Sequence, residues 1–291
     1  MKTISNHRRN MAAKAVLLCS TLGISSPAFP SPFLGAAENF AVLGASSVTN
    51  TGATTIKGDV GVISSAAMAG MGSVTLQGTG HVADPATQQA TLDATQAYAY
   101  LTGLSFTTVL TGQDLGALAT LTPGVYSFAT SAQLTGTLTL DFAHLSNQSF
   151  VFQIGTTLTT AAGANVIVLN GDASNSIFFA VGSAATIGTS SQFAGNILAQ
   201  QSVTLTTTSQ ITCGRAIALT GTVTLDTNKV SNNCLNVGDL GSARSDFGST
   251  GFSGGAITQT PPTAVSEPAS MTVLAVALLG LAGFARRRMP G

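Results

Sequence analysis

Residues Ser202–Thr227 read SVTLTTTSQITCGRAIALTGTVTLDT, with Arg215 and Asp226 the only charges among them. Hydroxyl and apolar residues alternate, and a period of two sends successive side chains to opposite faces of a strand. Threonine's branched β-carbon favours that extended form. Four earlier segments align beneath this one: FAVLGASSVTNTGATTIKGDVGV from Phe40, VYSFATSAQLTGTLTLDF from Val125, FVFQIGTTLTTAAGANVIVLNG from Phe150 and IFFAVGSAATIGTSSQFAGNILA from Ile177. Each runs as an apolar strand, a Thr-rich strand, then a third apolar strand closed by Gly or Asn. Starts at Val125, Phe150, Ile177, Ser202 and Thr222 give a period of roughly 20 to 27 residues, the range in which self-similarity signals a solenoid. Three short strands per period predict an all-β coil with three sides, a β-helix.

The second strand of each coil alternates most cleanly. Val48, Leu134, Leu158, Ile187 and Ile211 are expected to point inward, and Thr49, Thr135, Thr159 and Thr212 outward, flanked by Ser47, Gln133, Thr157, Thr186 and Gln210. That side is read as facing water. In FVFQI and IFFAV both alternate sets are apolar, so those strands are expected to be covered on two sides. The cover is at hand in ADPATQQATLDATQAYAYLTG, which breaks the repeat. Asp84 suits an N-cap, Pro85 the first helical position and Gly103 the stop, predicting one long helix over about 84–102. Ala86, Ala90, Ala94, Ala97 and Leu101 share one side of it, a stripe of small residues suited to close packing on a sheet.

Of the 291 residues 44% are apolar and only 8% charged, with 11 basic against 11 acidic side chains. A formal net charge of zero provides no field to gather nucleic acid or an anionic membrane. Catalysis by β-helices needs paired carboxylates or a metal cluster. Here Asp59, Asp114, Asp141, Asp172 and Asp226 are scattered one per region, and only His81 and His144 lie in the mature body. Each Asp reads as a turn or cap residue. No enzyme, cofactor or metal site is expected.

The N-terminus sets Lys2, His7, Arg8, Arg9 and Lys14 before an apolar run, Ala15–Ile24, and the small-residue stretch SSPAFPSP, the pattern of a secretory signal over residues 1–32. Export leaves Cys213 and Cys234 where a disulfide persists. They are about one coil apart, and stacked turns at roughly 4.8 Å lie within disulfide reach. A staple on the last coil and two unpaired buried thiols are the alternatives. The body is expected over 33–234. Residues 235–265, rich in Gly, Ser, Thr and Pro, read as a flexible linker.

Beyond the linker come Ser266, Glu267 and Pro268, an apolar run from Met271 to Ala285, and Arg286, Arg287 and Arg288. This tail, 266–291, resembles the PEP-CTERM sorting signal, with Ser266 where the first Pro is usual. The resemblance implies transient membrane insertion and removal by an exosortase-like enzyme in a Gram-negative bacterium that makes extracellular polysaccharide, the protein being secreted or held at the cell surface. The alternative is a retained anchor.

The body, about Phe40 to Asn233, resembles the ice-binding domain family (DUF3494-type). The blocks FAVLGASSVTNTGATTIKGDVGV, LTPGVYSF, AQLTGTLTLD, FVFQIGTTLTTAAGANVIVLNG, FAGNILA and GRAIALTGTVTLDT carry the likeness. It implies a discontinuous right-handed β-helix with a long helix alongside, the first coil stacking out of chain order beside a later one. It also implies an ice crystal surface as partner, bound by the flat helix-free face, at times through a Thr-Ala/Gly-X-Thr/Asn motif. Thr51-Gly52-Ala53-Thr54 fits that motif, whereas Thr160–Gly163, Thr189–Gln192 and Thr207–Gln210 depart from it. The residues so implicated are Thr49, Thr51, Thr54, Thr135, Thr137, Thr157, Thr159, Thr186 and Thr212. A non-catalytic matrix adhesin holding extracellular polysaccharide is the rival. Glycan binding usually recruits aromatics, and this chain has no Trp and three Tyr.

Overall fold

The computed structural model describes residues 33–65, 68–234 and 251–254. The signal segment and the sorting tail, including Glu267, Pro268 and Arg286–Arg288, lie outside the described residues. Alternation of apolar and hydroxyl residues becomes parallel sheet throughout the repeats. Seven short strands form one sheet in the order Ala132–Leu134, Leu158–Thr160, Ala185–Ile187, Val203–Leu205, Thr222–Asp226, Ser47–Thr51, Met68–Ala69. Every pairing within it is parallel. The earliest strands in the chain thus sit beyond the latest ones, the out-of-order stacking that the family resemblance implied.

A second sheet of fourteen strands contains two runs. One sets Gly124–Phe128, Ser149–Ile154, Ser176–Val181, Gln192–Ala199, Gln210–Ala218, Phe40–Gly44 and Asp59–Val62 side by side. The other begins with Thr137–Asp141 beside Asn165–Leu169 and ends with Lys229–Ser231, Thr54–Lys57 and Val74–Gln77. The two runs share Gln192–Ala199 and Gln210–Ala218, whose pairing slips between Phe193 and Gly195. Gly195 there has a φ of +103°, which a side chain would resist, so the chain turns a corner without ending the strand.

That continuity corrects the phase read from the sequence. Ser202 directly precedes and Thr222 opens a strand of the seven-strand sheet, whereas Val125, Phe150 and Ile177 lie in the fourteen-strand sheet. In the coil around Ser202 the outward-facing strand is Val203–Leu205, and Ile211 and Thr212 belong to the long strand after it.

Doubly apolar strands are indeed covered on both sides. Phe150, Phe152, Phe179 and Phe193 fill the interior, Phe152 stacking on Phe179 with ring centroids 4.6 Å apart. Val151, Phe178, Ala180, Leu198 and Ile217 point the other way, under the helix Pro85–Gly103. Ala90, Ala94, Ala97 and Leu101 of that helix are buried against them. The Asp84 carboxylate accepts from Thr87 N at 2.9 Å, and Gln153 Nε2 donates to the Leu101 and Leu104 carbonyls, so both helix ends find partners. Among the described residues no helix is long and apolar enough to cross a membrane.

Four residues inside the stretch expected as a linker are fixed to the body. Phe252 is 3% exposed, its carbonyl accepts from Ile177 N, and Ser253 bridges Ser176 antiparallel. Behind this segment Arg215 is fully buried, donating to the carbonyl of Glu38, to Asn196 Oδ1 and to the carbonyl of Gly251. These four residues dock because Phe252 enters the apolar interior beside Phe142 and the carbonyls of Gly251 and Phe252 accept from Arg215 and Asn196. Cys213 and Cys234 are bonded to each other, their Cα atoms 5.1 Å apart.

Candidate functional site

Inward residues of the seven-strand sheet, Val48, Leu134, Leu158, Ile187, Val203, Leu205, Val223 and Leu225, are at most 1% exposed. Their alternates must therefore face outward. The register sets Gln133, Thr159, Thr186, Thr204, Thr224, Thr49 and Ala69 side by side across the sheet. Five threonines from five successive strands form one unbroken column. The same ladder, extended two residues toward each strand's start, runs Ser131, Thr157, Ala184, Ser202, Thr222, Ser47; Ala132 N, Leu158 N and Ala185 N donate to the carbonyls of Thr157, Ala184 and Ser202. Only small and hydroxyl-bearing side chains occupy it. Hydroxyls also meet along the columns, Ser47 Oγ with Thr222 Oγ1 at 2.8 Å and Thr49 Oγ1 with Thr224 Oγ1 at 3.4 Å.

The sheet brings together Thr49, Thr159 and Thr186 in the central column and Thr157 in the one before it. Thr51 is exposed on the strand of Thr49, in register with Asp226. Thr135 is exposed just past Ala132–Leu134, but its hydroxyl donates to Asp114 Oδ2 at 2.5 Å and its N–H to Oδ1. Burial alone would raise the Asp114 pKa, yet these bonds and one from Gly116 N outweigh it and hold the carboxyl below its usual range.

Three expected residues stand elsewhere. Thr137 opens a strand of the other sheet, beside Asn165. Thr212 is 4% exposed in register with Ser231, displaced by the phase error described above. Thr54 is 1% exposed because Gly52, at a φ of +77°, turns the chain so that Thr54 starts the next strand facing inward, where its Oγ1 accepts from Asn228 N. Thr204 and Thr224 complete the column and went unrecognised in the sequence. The V-T-L frame in Val203–Leu205 and Val223–Leu225, identical around both, is the signal that marks them. Among the described residues no cluster of His, Cys, Asp or Glu is placed to hold a metal ion.

A parallel, stacked sheet with a hydroxyl-rich outer surface repeats the same side chains at a fixed spacing, the class of surface found on β-solenoids. The ice-binding-like family profile matches residues 42–231, and the chain belongs to that family. It is 49% identical over 228 residues to an ice-binding protein of Nostoc sp. (strain HG1), covering 78% of this chain and 84% of that one. Among solved structures it resembles an ice-binding protein from the Antarctic ascomycete Antarctomyces psychrotrophicus, with a TM-score of 0.64 at 36% identity, covering 68% of this chain and 96% of that one. The DUF3494 domain of ice-binding protein 1 of Shewanella frigidimarina is similar with a TM-score of 0.64 at 30% identity, covering 71% and 98%.

Proposed function

We propose that this chain binds ice through the outward side of its seven-strand sheet, with Thr159, Thr186, Thr204, Thr224 and Thr49 as the central file and Thr157, Ser202, Thr222 and Ser47 beside it. The unbroken register of those five threonines carries the reading. Neighbouring strands lie roughly 4.8 Å apart and alternate residues near 6.8 Å, both close to repeats of the ice lattice. A threonine hydroxyl donates and accepts, while its methyl restrains adjacent water, and β-branching limits χ1 so the array is ordered beforehand. Each hydroxyl-to-water bond contributes on the order of 1 kcal/mol net, so recognition is the sum of many weak contacts on one rigid surface. No reacting group is required, and the protein acts without catalysis.

The strand order supports a discontinuous, three-sided, right-handed β-helix with the helix Pro85–Gly103 on a side away from this surface. We read residues 1–32 as an export signal, 33–234 together with the docked 251–254 as the ice-binding body, and 266–291 as a sorting tail that an exosortase-like enzyme removes after transient membrane insertion.

Recrystallisation of fine-grained ice tests the function. The purified protein is expected to hold grain size constant. Thr159→Tyr, which plants a ring in the central column, is expected to raise the half-maximal concentration at least about tenfold, equivalent to about 1.4 kcal/mol of lost surface affinity, with the thermal midpoint unchanged. Grain growth indistinguishable from buffer at concentrations where the protein is folded would refute the assignment.

A further inference from the structure

The seven strands of the proposed ice-binding sheet contain a single ionisable side chain, Asp226. Its neighbour Leu225 is fully buried, so alternation turns the carboxylate outward, on the same side as Thr222 and Thr224 and in register with Thr51. The group is half-buried and held in place: Oδ2 accepts from Thr207 Oγ1 at 2.5 Å and Oδ1 from Thr227 Oγ1 at 3.1 Å. It also stands against the Thr51–Thr54 turn, since a Cβ on Gly52 would lie 3.5 Å from Oδ1. The next file of the lattice, two residues past the central threonines, is therefore interrupted where Thr51 would extend it.

We propose that Asp226 sets the lateral limit of the ice-binding surface, so that the engaged lattice ends at the central column and Thr51 stays outside it. The inference rests on the ice-binding reading above. The reason is hydration geometry. A water in ice donates two hydrogen bonds and accepts two, and a threonine hydroxyl can join such a network in either role. An ionised carboxylate only accepts, so waters around it turn their hydrogens inward and none of its lone pairs can stand in for a donor. Ice growing over Thr51 would have to strip or reorient that shell, and desolvating a charge is far costlier than desolvating a hydroxyl. Thr207 and Thr227 are committed to the charge by their hydroxyls, and Thr51, in register with it, lies beside its hydration shell rather than in the lattice.

The test uses the full chain in the recrystallisation assay, with Asp226→Asn, Asp226→Glu and Thr159→Tyr in parallel and the thermal midpoint of each measured. Asn keeps the shape and one acceptor oxygen but removes the charge, and is expected to lower the half-maximal concentration about twofold or more. Glu keeps the charge and is expected to bring no gain. Should Asp226→Asn not fold, Asp226→Ser retains an acceptor for Thr207 and carries the same expectation. An Asn variant equal to or weaker than the parent would overturn the inference, as would equal gains from Asn and Glu. If Thr159→Tyr still raises the half-maximal concentration about tenfold in that case, the ice-binding reading stands and only the role of Asp226 falls. A parent chain inert on ice overturns both.

Discussion

A lattice surface depends on what each threonine is prevented from doing as well as on what it offers. Thr54, Thr135 and Thr212 look equivalent to Thr159 in the sequence, yet Thr54 and Thr212 are buried and Thr135 is tied to Asp114. Local alternation cannot separate these cases, because burial is set by a corner glycine and a strand that runs through a bulge, and the Thr135 hydroxyl is engaged by a carboxylate 21 residues upstream. Arg215 was equally hidden: in CGRAIAL it reads as an ordinary strand residue, and only the fold reveals that it is fully buried. Burial pulls its pKa down to about 10 against the opposing pull of the Glu38 carboxylate, so it stays charged at neutral pH and needs every acceptor around it. Arg215→Ala would leave the Glu38 carbonyl and Asn196 Oδ1 without their donor and remove the cation that the Glu38 carboxyl feels. We expect a loss of about 3–5 kcal/mol, the usual result of removing one partner from a buried charged network, read as a lower urea midpoint. A variant within 1 kcal/mol of the parent, a figure typical of an exposed pair, would show the network to be solvated.

Among the elements, the helix was the most legible and the coil phase the least. Asp84, Pro85 and the Ala stripe are local signals, and the helix Pro85–Gly103 follows them to within a residue of expectation. Gly103 ends it without adopting a left-handed φ, since Gln153 from a neighbouring strand supplies the donor for the last carbonyls. Strand boundaries in the repeats depend on long-range stacking instead, which is why a repeat begun at Ser202 and Thr222 falls on a different side of the coil from one begun at Val125, Phe150 and Ile177. The Ala stripe also makes a sharp test of how tightly the helix sits. Ala94 is fully buried between the helix and the outer side of the fourteen-strand sheet, in the cluster that includes Phe178 and Leu198. Ala94→Leu adds three carbons to a filled layer and is expected to destabilise by about 1–3 kcal/mol, with the urea m-value unchanged. Ice activity at temperatures where the variant remains folded should match the parent, because the helix lies on a different side from the threonine columns. A matched loss of activity would mean that helix packing sets the shape of the binding sheet.

Taken as a whole, the molecule is stiffened by ties that cross coils, and several of them are titratable. Asp172 illustrates the first kind: burial would raise its pKa, but hydrogen bonds from Ser146 and from the Ser174 hydroxyl and N–H overcome this and lower it, joining two corner loops. Asp114 links the turn after Leu115 to Thr135 in the same manner. Glu38 is the opposite case, its pKa raised by burial against the lowering effects of Arg215 and Ser253. A depressed folded pKa contributes stability that is complete above the unfolded value of about 3.8 and is lost as pH falls through the folded value. A raised one does the reverse: between its folded pKa and 4.5 the native state binds the extra proton, so acidification through that window stabilises. The thermal midpoint is therefore expected to rise modestly as pH drops toward 4.5, pass a maximum, and fall below about 3.8 as Asp114 and Asp172 take up protons. Glu38→Gln should remove the rise and leave the acid limb intact, whereas Asp172→Asn should make the acid limb shallower, Asp114 still contributing, and leave the rise intact. A midpoint that declines steadily from neutral pH in the parent would mean that the Glu38 carboxyl is held charged by Arg215 more strongly than its burial opposes. In that event the segment Gly251–Gly254, which contacts both residues, would be clamped by an ion pair rather than by a network of neutral acceptors around one cation.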